Sequence, residues 1–115
     1  MATFLRTTVK KNIGTTPVSA LSPSSSSSFT VIGCNLSNTT DYDVIVSITI
    51  TDSTSVVGSY VSSLTIRPYN SAKIITNGEK LIIAGSCIMT IVSDTVDSID
   101  AVISYAEVIL RNYNE

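Results

Sequence analysis

Asp94-Thr-Val-Asp97-Ser-Ile-Asp100 sets three carboxylates at threefold spacing around a turn, and no other stretch of this chain is better suited to hold a cation. Hard cations such as calcium are held by carboxylate and carbonyl oxygens, so acids gathered on one loop are the pattern that matters. The segment lacks the glycine and the terminal glutamate of an EF-hand loop, and it reads as a solvated, charged turn. Asp41, Asp43 and Asp52 form a looser group that reads the same way. No metal site is assigned.

Catalytic equipment is otherwise thin. The chain has no histidine, so the commonest general base and metal ligand is missing. A Ser/His/Asp triad cannot be built within one chain, and a cysteine nucleophile would lack its usual imidazole partner. Cys34 and Cys87 are the only cysteines, with no CxxC spacing that would suggest zinc or redox chemistry. They could close one disulfide, but two free, half-buried thiols are the reading taken, because free Cys behaves as a small hydrophobe. The five glycines are scattered, so no phosphate-cradling loop is present. The expectation is a non-enzyme without a cofactor. Tyr42, Tyr60, Tyr69, Tyr105 and Tyr113 could form a carbohydrate platform. They are spread over separate segments and tryptophan is absent, so packing with a hydroxyl at the edge is the simpler role.

Charge points away from other partners. The formal net charge is −2 and Lys10-Lys11 is the densest positive spot. Nucleic-acid binding needs clustered Lys and Arg to displace counterions, so it is disfavoured. The opening residues lack the apolar core of a signal peptide, and runs such as Leu81-Ile-Ile-Ala84 are too short to span a bilayer. Synthesis in a cytosol with no membrane association is expected. Asn35-Leu-Ser37 and Asn38-Thr-Thr40 fit the glycosylation pattern, and without a secretion signal they are read as chance.

The elements that must position these residues are strands. At 115 residues the chain is expected to form one domain, 1–115, large enough to bury a core without metal or disulfide. Val, Ile, Thr and Ser segments broken by turn residues about every ten positions suggest a sandwich or barrel. Strands are expected near 3–11, 28–37, 43–52, 56–66, 71–77, 79–84, 87–94 and 98–110, with a short edge strand around Val18–Leu21. The serine run at 24–28 lies in a polar loop, 22–28, between strands. Asn38-Thr-Thr-Asp41 and Asp52-Ser-Thr-Ser55 read as hairpin turns, Pro68-Tyr-Asn70 as a loop and Ala84-Gly85-Ser86 as a turn. Asn77-Gly78 predicts a tight hairpin joining Ile74-Ile-Thr76 to Lys80-Leu-Ile-Ile83. Alternation places Ile32, Cys34 and Leu36 on one face, as it does Val44, Val46, Ile48 and Ile50, and Ile99, Ala101, Ile103 and Tyr105. These rows are the expected core.

Several strands are apolar on both faces, whereas a two-sheet sandwich buries one face per strand. Ile45, Ile75, Ile82, Val92 and Leu110 are therefore candidate interface residues, expected on outer faces and covered by another subunit. Loops or the 14–28 segment could cover them instead. Charged residues make up 14% of the chain, against about 25% in ordinary domains, which favours the interface.

The layout resembles that of small virion proteins of tailed bacteriophages. The similarity covers nearly the whole chain and rests on Lys11-Asn-Ile-Gly-Thr-Thr-Pro17, Phe29-Thr-Val-Ile-Gly33, Asn35-Leu-Ser-Asn-Thr-Thr40, Asn70-Ser-Ala72, Glu79-Lys-Leu-Ile-Ile-Ala-Gly85 and Ser98-Ile-Asp-Ala-Val-Ile-Ser-Tyr-Ala-Glu-Val108. These are scaffold patterns, not catalytic motifs. The loop at 22–28 departs from the usual pattern, carrying serines where a Pro-Ala-Gly-like turn is expected. The resemblance implies a structural component of the virion: a capsid decoration or cement protein, or an accessory of the neck, tail or fibres.

Taken together, the expectation is an all-β fold, a single antiparallel, jelly-roll-like β-sandwich of about eight strands, assembling as a trimer or hexamer with other virion proteins. Residues 1–12 are a candidate docking arm, with Arg6, Lys10 and Lys11 meeting an acidic shell, or simply the first strand. The competing reading is a host-receptor or glycan-binding module of a fibre.

Overall fold

The computed structural model describes residues 2–76 and 78–109. Nine strands follow in order: β1 Ala2–Ile13, β2 Val18–Leu21, β3 Ser27–Asn38, β4 Val44–Thr51, β5 Val57–Ile66, β6 Ser71–Lys73, β7 Leu81–Ile83, β8 Ile88–Ser93 and β9 Ile99–Ile109. The first sheet has the order β1-β9-β3-β6, with β7 also on β3, and the second runs β2-β8-β4-β5. Every pairing is antiparallel. Successive strands alternate between the sheets except at the β4–β5 hairpin and at β6 and β7, which share the edge of β3, and β1 ends up beside β9. That winding is a jelly roll. Eight of the strands correspond to the eight expected segments, and the ninth, β2, is the short edge strand expected around Val18–Leu21.

Strand formation follows from alternation. Val44, Val46 and Ile48 of β4 and Met89 and Ile91 of β8 turn inward from the second sheet. They join Val31, Cys34 and Leu36 of β3 and Ile99, Ala101, Ile103 and Tyr105 of β9 in one apolar cluster. Eleven large apolar residues at the centre are fully enclosed, so each contributes about 1.5–3 kcal/mol of burial free energy. Phe29 closes the cluster against Tyr105, ring centroids 4.6 Å apart.

Three local expectations are corrected. Ile32 points outward, 48% exposed, because a β-bulge between Val31 and Gly33 shifts the register and turns Val31 inward in its place. Asn38-Thr-Thr-Asp41 carries the chain from the first sheet to the second instead of closing a hairpin. The segments flanking 77–78 do not pair with each other. Lys73 lies opposite Asn35 and Ile83 opposite Phe29, so both arms run along the same edge of β3. A long, already formed neighbour offers more ladder bonds than two three-residue arms could give each other. Asn77 lies outside the described residues. Gly78 takes a left-handed φ of 77°, and the Glu79 N–H donates to the Thr76 carbonyl at 3.0 Å. The turn chemistry is therefore spent on a short excursion that delivers Ile75 to the core.

Candidate interface surface

Three of the acidic residues, Asp94, Asp100 and Asp52, are occupied by the fold. The Asp94 carboxylate accepts from the Ile45 N–H at 3.0 Å and from the Thr95 hydroxyl at 3.0 Å. The Asp100 carboxylate accepts from the Asn12 N–H at 2.9 Å. Asp97 holds a left-handed φ of 49° in the turn between β8 and β9. Beneath them Ser93 and Ser98, both buried, share a hydroxyl contact of 2.8 Å. Asp52 sits at the β4–β5 tip, a full strand of about 30 Å from Asp43. Its carboxylate accepts from the Thr54 hydroxyl at 2.7 Å and from the Thr54 and Val56 N–H groups. Those bonds, the Thr54 hydroxyl foremost, hold its pKa below the usual carboxylate range. Among the described residues no group of three metal-ligating side chains converges.

Cys34 and Cys87 are free and buried. Burial pushes the Cys34 thiol up to about 11. Tyr42 and Tyr69 are exposed on two loops that Asn38 ties together, Tyr105 is buried, Tyr60 sits partly exposed on β5, and Tyr113 lies outside the described residues.

The surface that remains unexplained is the outer face of the first sheet. Register identifies its residues. Ile103 and Tyr105 of β9 are buried, so Val102, Ser104, Ala106 and Val108 point outward. On β1 their partners are Val9, Thr7, Leu5 and Thr3. On β3 the same rows continue through Asn35, Gly33, Thr30 and Ser28, with Ile32 at the bulge, and β7 adds Ile82 opposite Thr30. None of these residues is charged; Asp100 of β9 and Lys73 of β6, on the same face, bound the stretch. Leu5 is 80% exposed, Ile82 65%, Val9 62% and Val102 42%. Near its β3–β6 side a depression of about 330 Å³ opens among Ile32, Ile75, Val102, Asn35, Ser104 and Lys73.

The five residues expected at an interface do not share a surface. Ile82 lies in the uncharged stretch. Ile45, exposed, and Val92, half-buried, lie on the outer side of the opposite sheet. Ile75 is buried in the core, because the excursion after β6 folds it inward. Leu110 lies outside the described residues. Leu5, Val9, Ile32 and Val102 were missed as surface residues. The alternation Leu5-x-Thr7-x-Val9 was visible in the sequence, but only the pairing with β9 shows which side it faces.

Residues 2–12 form an integral edge strand. The Arg6 guanidinium pairs with Glu107 of β9 and lies 5.2 Å over the Phe4 ring. Lys10 stands opposite Ala101, and Lys11 is exposed where the pairing becomes irregular. The three cations thus stand on a sheet edge.

No protein-family model matches the chain, and no curated protein matches it either.

Proposed function

We propose that this chain is a non-catalytic structural subunit of a tailed-phage virion, a decoration or neck–tail accessory protein that assembles as a symmetric oligomer. The observation that carries the reading is the uncharged, aliphatic stretch on the outer face of the first sheet. Single apolar residues on a surface are ordinary, but a stretch across β1, β9, β3 and β7 with no charge and several exposed aliphatics, bounded by Asp100 and Lys73, marks a contact surface. Jelly rolls serve both capsid and lectin domains, so the winding fits assembly without selecting it. The virion assignment itself rests on the sequence resemblance.

The test is sedimentation combined with electron microscopy of the particle. Wild type is expected to sediment as a trimer or hexamer and to sit in an ordered ring or lattice. Ile82→Asp should sediment more slowly than wild type with unchanged β-type circular dichroism, since Ile82 is exposed and its loss costs the core nothing. A wild-type protein that stays a single subunit at high concentration and binds no particle refutes the proposal.

The second reading, recognition of a host glycan, draws on Tyr42 and Tyr69, 65% and 72% exposed at one end of the sandwich. Saturable hits on a glycan array, lost in Tyr69→Ala, would favour it.

A further inference from the structure

β1 is the open edge of the first sheet: among the described residues it pairs only with β9, leaving alternate N–H and C=O groups along its other side without a ladder. Natural sheets protect such edges with proline, inward charges, bulges or short strands. β1 is twelve residues long and has no proline. Its irregularity and two lysines lie at one end, past Val9. From Ala2 to Val9 its single charge is Arg6, already paired with Glu107 inside its own sheet.

We infer that β1 pairs antiparallel with β1 of a second copy about a two-fold axis at Thr7, joining two first sheets into one. The inference deepens the reading of the chain as an assembling subunit and rests on it.

Register selects the axis. A two-fold perpendicular to the sheet keeps both outer faces on the same side, and the residue on the axis faces itself. An axis at Arg6 would set Arg6 against its own copy. An axis at Thr8 would set Arg6 against Lys10 of the second copy. Like charges directly opposite destabilise a strand pair. The axis at Thr7 avoids both: Thr7 meets Thr7, Leu5 meets Val9 twice, Arg6 meets Thr8 and Lys10 meets Phe4. Leu5 and Val9 are the most exposed aliphatic residues of β1, they lie on its outer face, and they are spaced symmetrically about Thr7. The two Lys10 residues end about 20 Å apart, beyond the screening length at physiological salt. The joined sheet presents both uncharged stretches as one continuous surface. A two-fold contact fits a hexamer and excludes a bare trimer.

Cysteine cross-linking of the full chain tests this. Cys34 and Cys87 are buried, and Thr7, Leu5 and Val9 are exposed on an edge strand, so the substitutions leave the core alone. Thr7→Cys should form a covalent dimer under mild oxidation, because residues facing across a strand pair lie within disulfide reach. Leu5→Cys alone should not, since its two copies would stand about 14 Å apart, four residues along the ladder. A mixture of Leu5→Cys and Val9→Cys should cross-link between the two variants. A silent Thr7→Cys in a sample that sediments as an oligomer overturns the edge pairing and leaves the assembly reading standing. Leu5→Cys that cross-links with itself as fast as the mixture also overturns it. A sample of single subunits overturns both.

Discussion

Asn38 shows how much one polar residue can organise in this fold. It is 2% exposed, and its side-chain N–H groups face the carbonyls of Tyr42 at 2.6 Å, Ile66 at 2.9 Å and Arg67 at 3.2 Å. Its carbonyl accepts from the Thr40 N–H at 2.8 Å and hydroxyl at 2.7 Å. One amide thus stitches the end of β3 to the crossing loop and to the end of β5. Asn38→Ala strands several buried partners and should cost about 3 kcal/mol in urea unfolding. Asn38→Asp should not rescue it, because a carboxylate cannot donate to carbonyls. Cys34 makes the opposite case, a reactive group made inert by place. With its pKa pushed up to about 11 from an ordinary 9.0, its thiolate fraction at pH 8 falls about a hundredfold. Native protein should therefore alkylate slowly at Cys34, whereas denatured protein should label at both cysteines without prior reduction. Labelling that needs a reductant would reveal a disulfide.

At the scale of elements, the turns divide into those held by side chains and those held by close packing. The β4–β5 tip belongs to the first kind. Asp52 has its pKa lowered by the Thr54 hydroxyl and by the Val56 and Thr54 N–H groups, so its charged form favours the folded state. That stabilisation is present above the unfolded carboxyl's pKa and is lost as pH falls through the lower folded value. Melting temperatures of wild type and Asp52→Ala should differ at pH 7 and converge on acidification below the ordinary carboxylate range. A constant difference at all pH values would remove the charge from the account. The β7–β8 turn belongs to the second kind. A Cβ at Gly85 would lie 2.9 Å from the Ser25 carbonyl oxygen and 3.0 Å from those of Ser24 and Ser27. Gly85→Ala should cost about 1–3 kcal/mol, as overpacking does. Gly58→Ala meets nothing within 4 Å and should change stability by less than about 0.5 kcal/mol. Equal effects at the two positions would sink the steric explanation. The serine loop at 22–26 is thus more than a polar connector, because its carbonyls form the wall against which Gly85 packs.

For the whole molecule, the two outer faces differ. That of the first sheet carries an uncharged stretch across β1, β9, β3 and β7, with Asp100 and Lys73 only at its margin, and β1 leaves its edge open beside it. On the second sheet Ile45 and Val92 lie beside Asp94, whose carboxylate binds the Ile45 N–H. A charge placed on the first face, as in Val102→Asp, should therefore weaken self-association by sedimentation, whereas Ile45→Asp should leave it unchanged. The reverse ranking would move the interface to the other sheet.

Much of the architecture was legible in the residues alone. Strands expected at 28–37, 43–52, 56–66 and 98–110 lie within about two residues of those observed, and β2 occupies Val18–Leu21 as expected. Period-two alternation of β-branched residues is a local property, set by the pleat, so it can be read without knowing any partner. Three features could not be read that way. The bulge at Ile32 depends on how β3 meets β9, the role of Gly78 on the competing edge of β3, and the inward turn of Ile75 on the excursion that edge imposes. The sequence by itself determined which segments are strands and that the chain holds more apolar side chains than one sandwich face per strand can hide. Only tertiary structure decided which apolar rows face out together and which edge stays open, because sidedness and edge position arise from pairing between segments far apart along the chain.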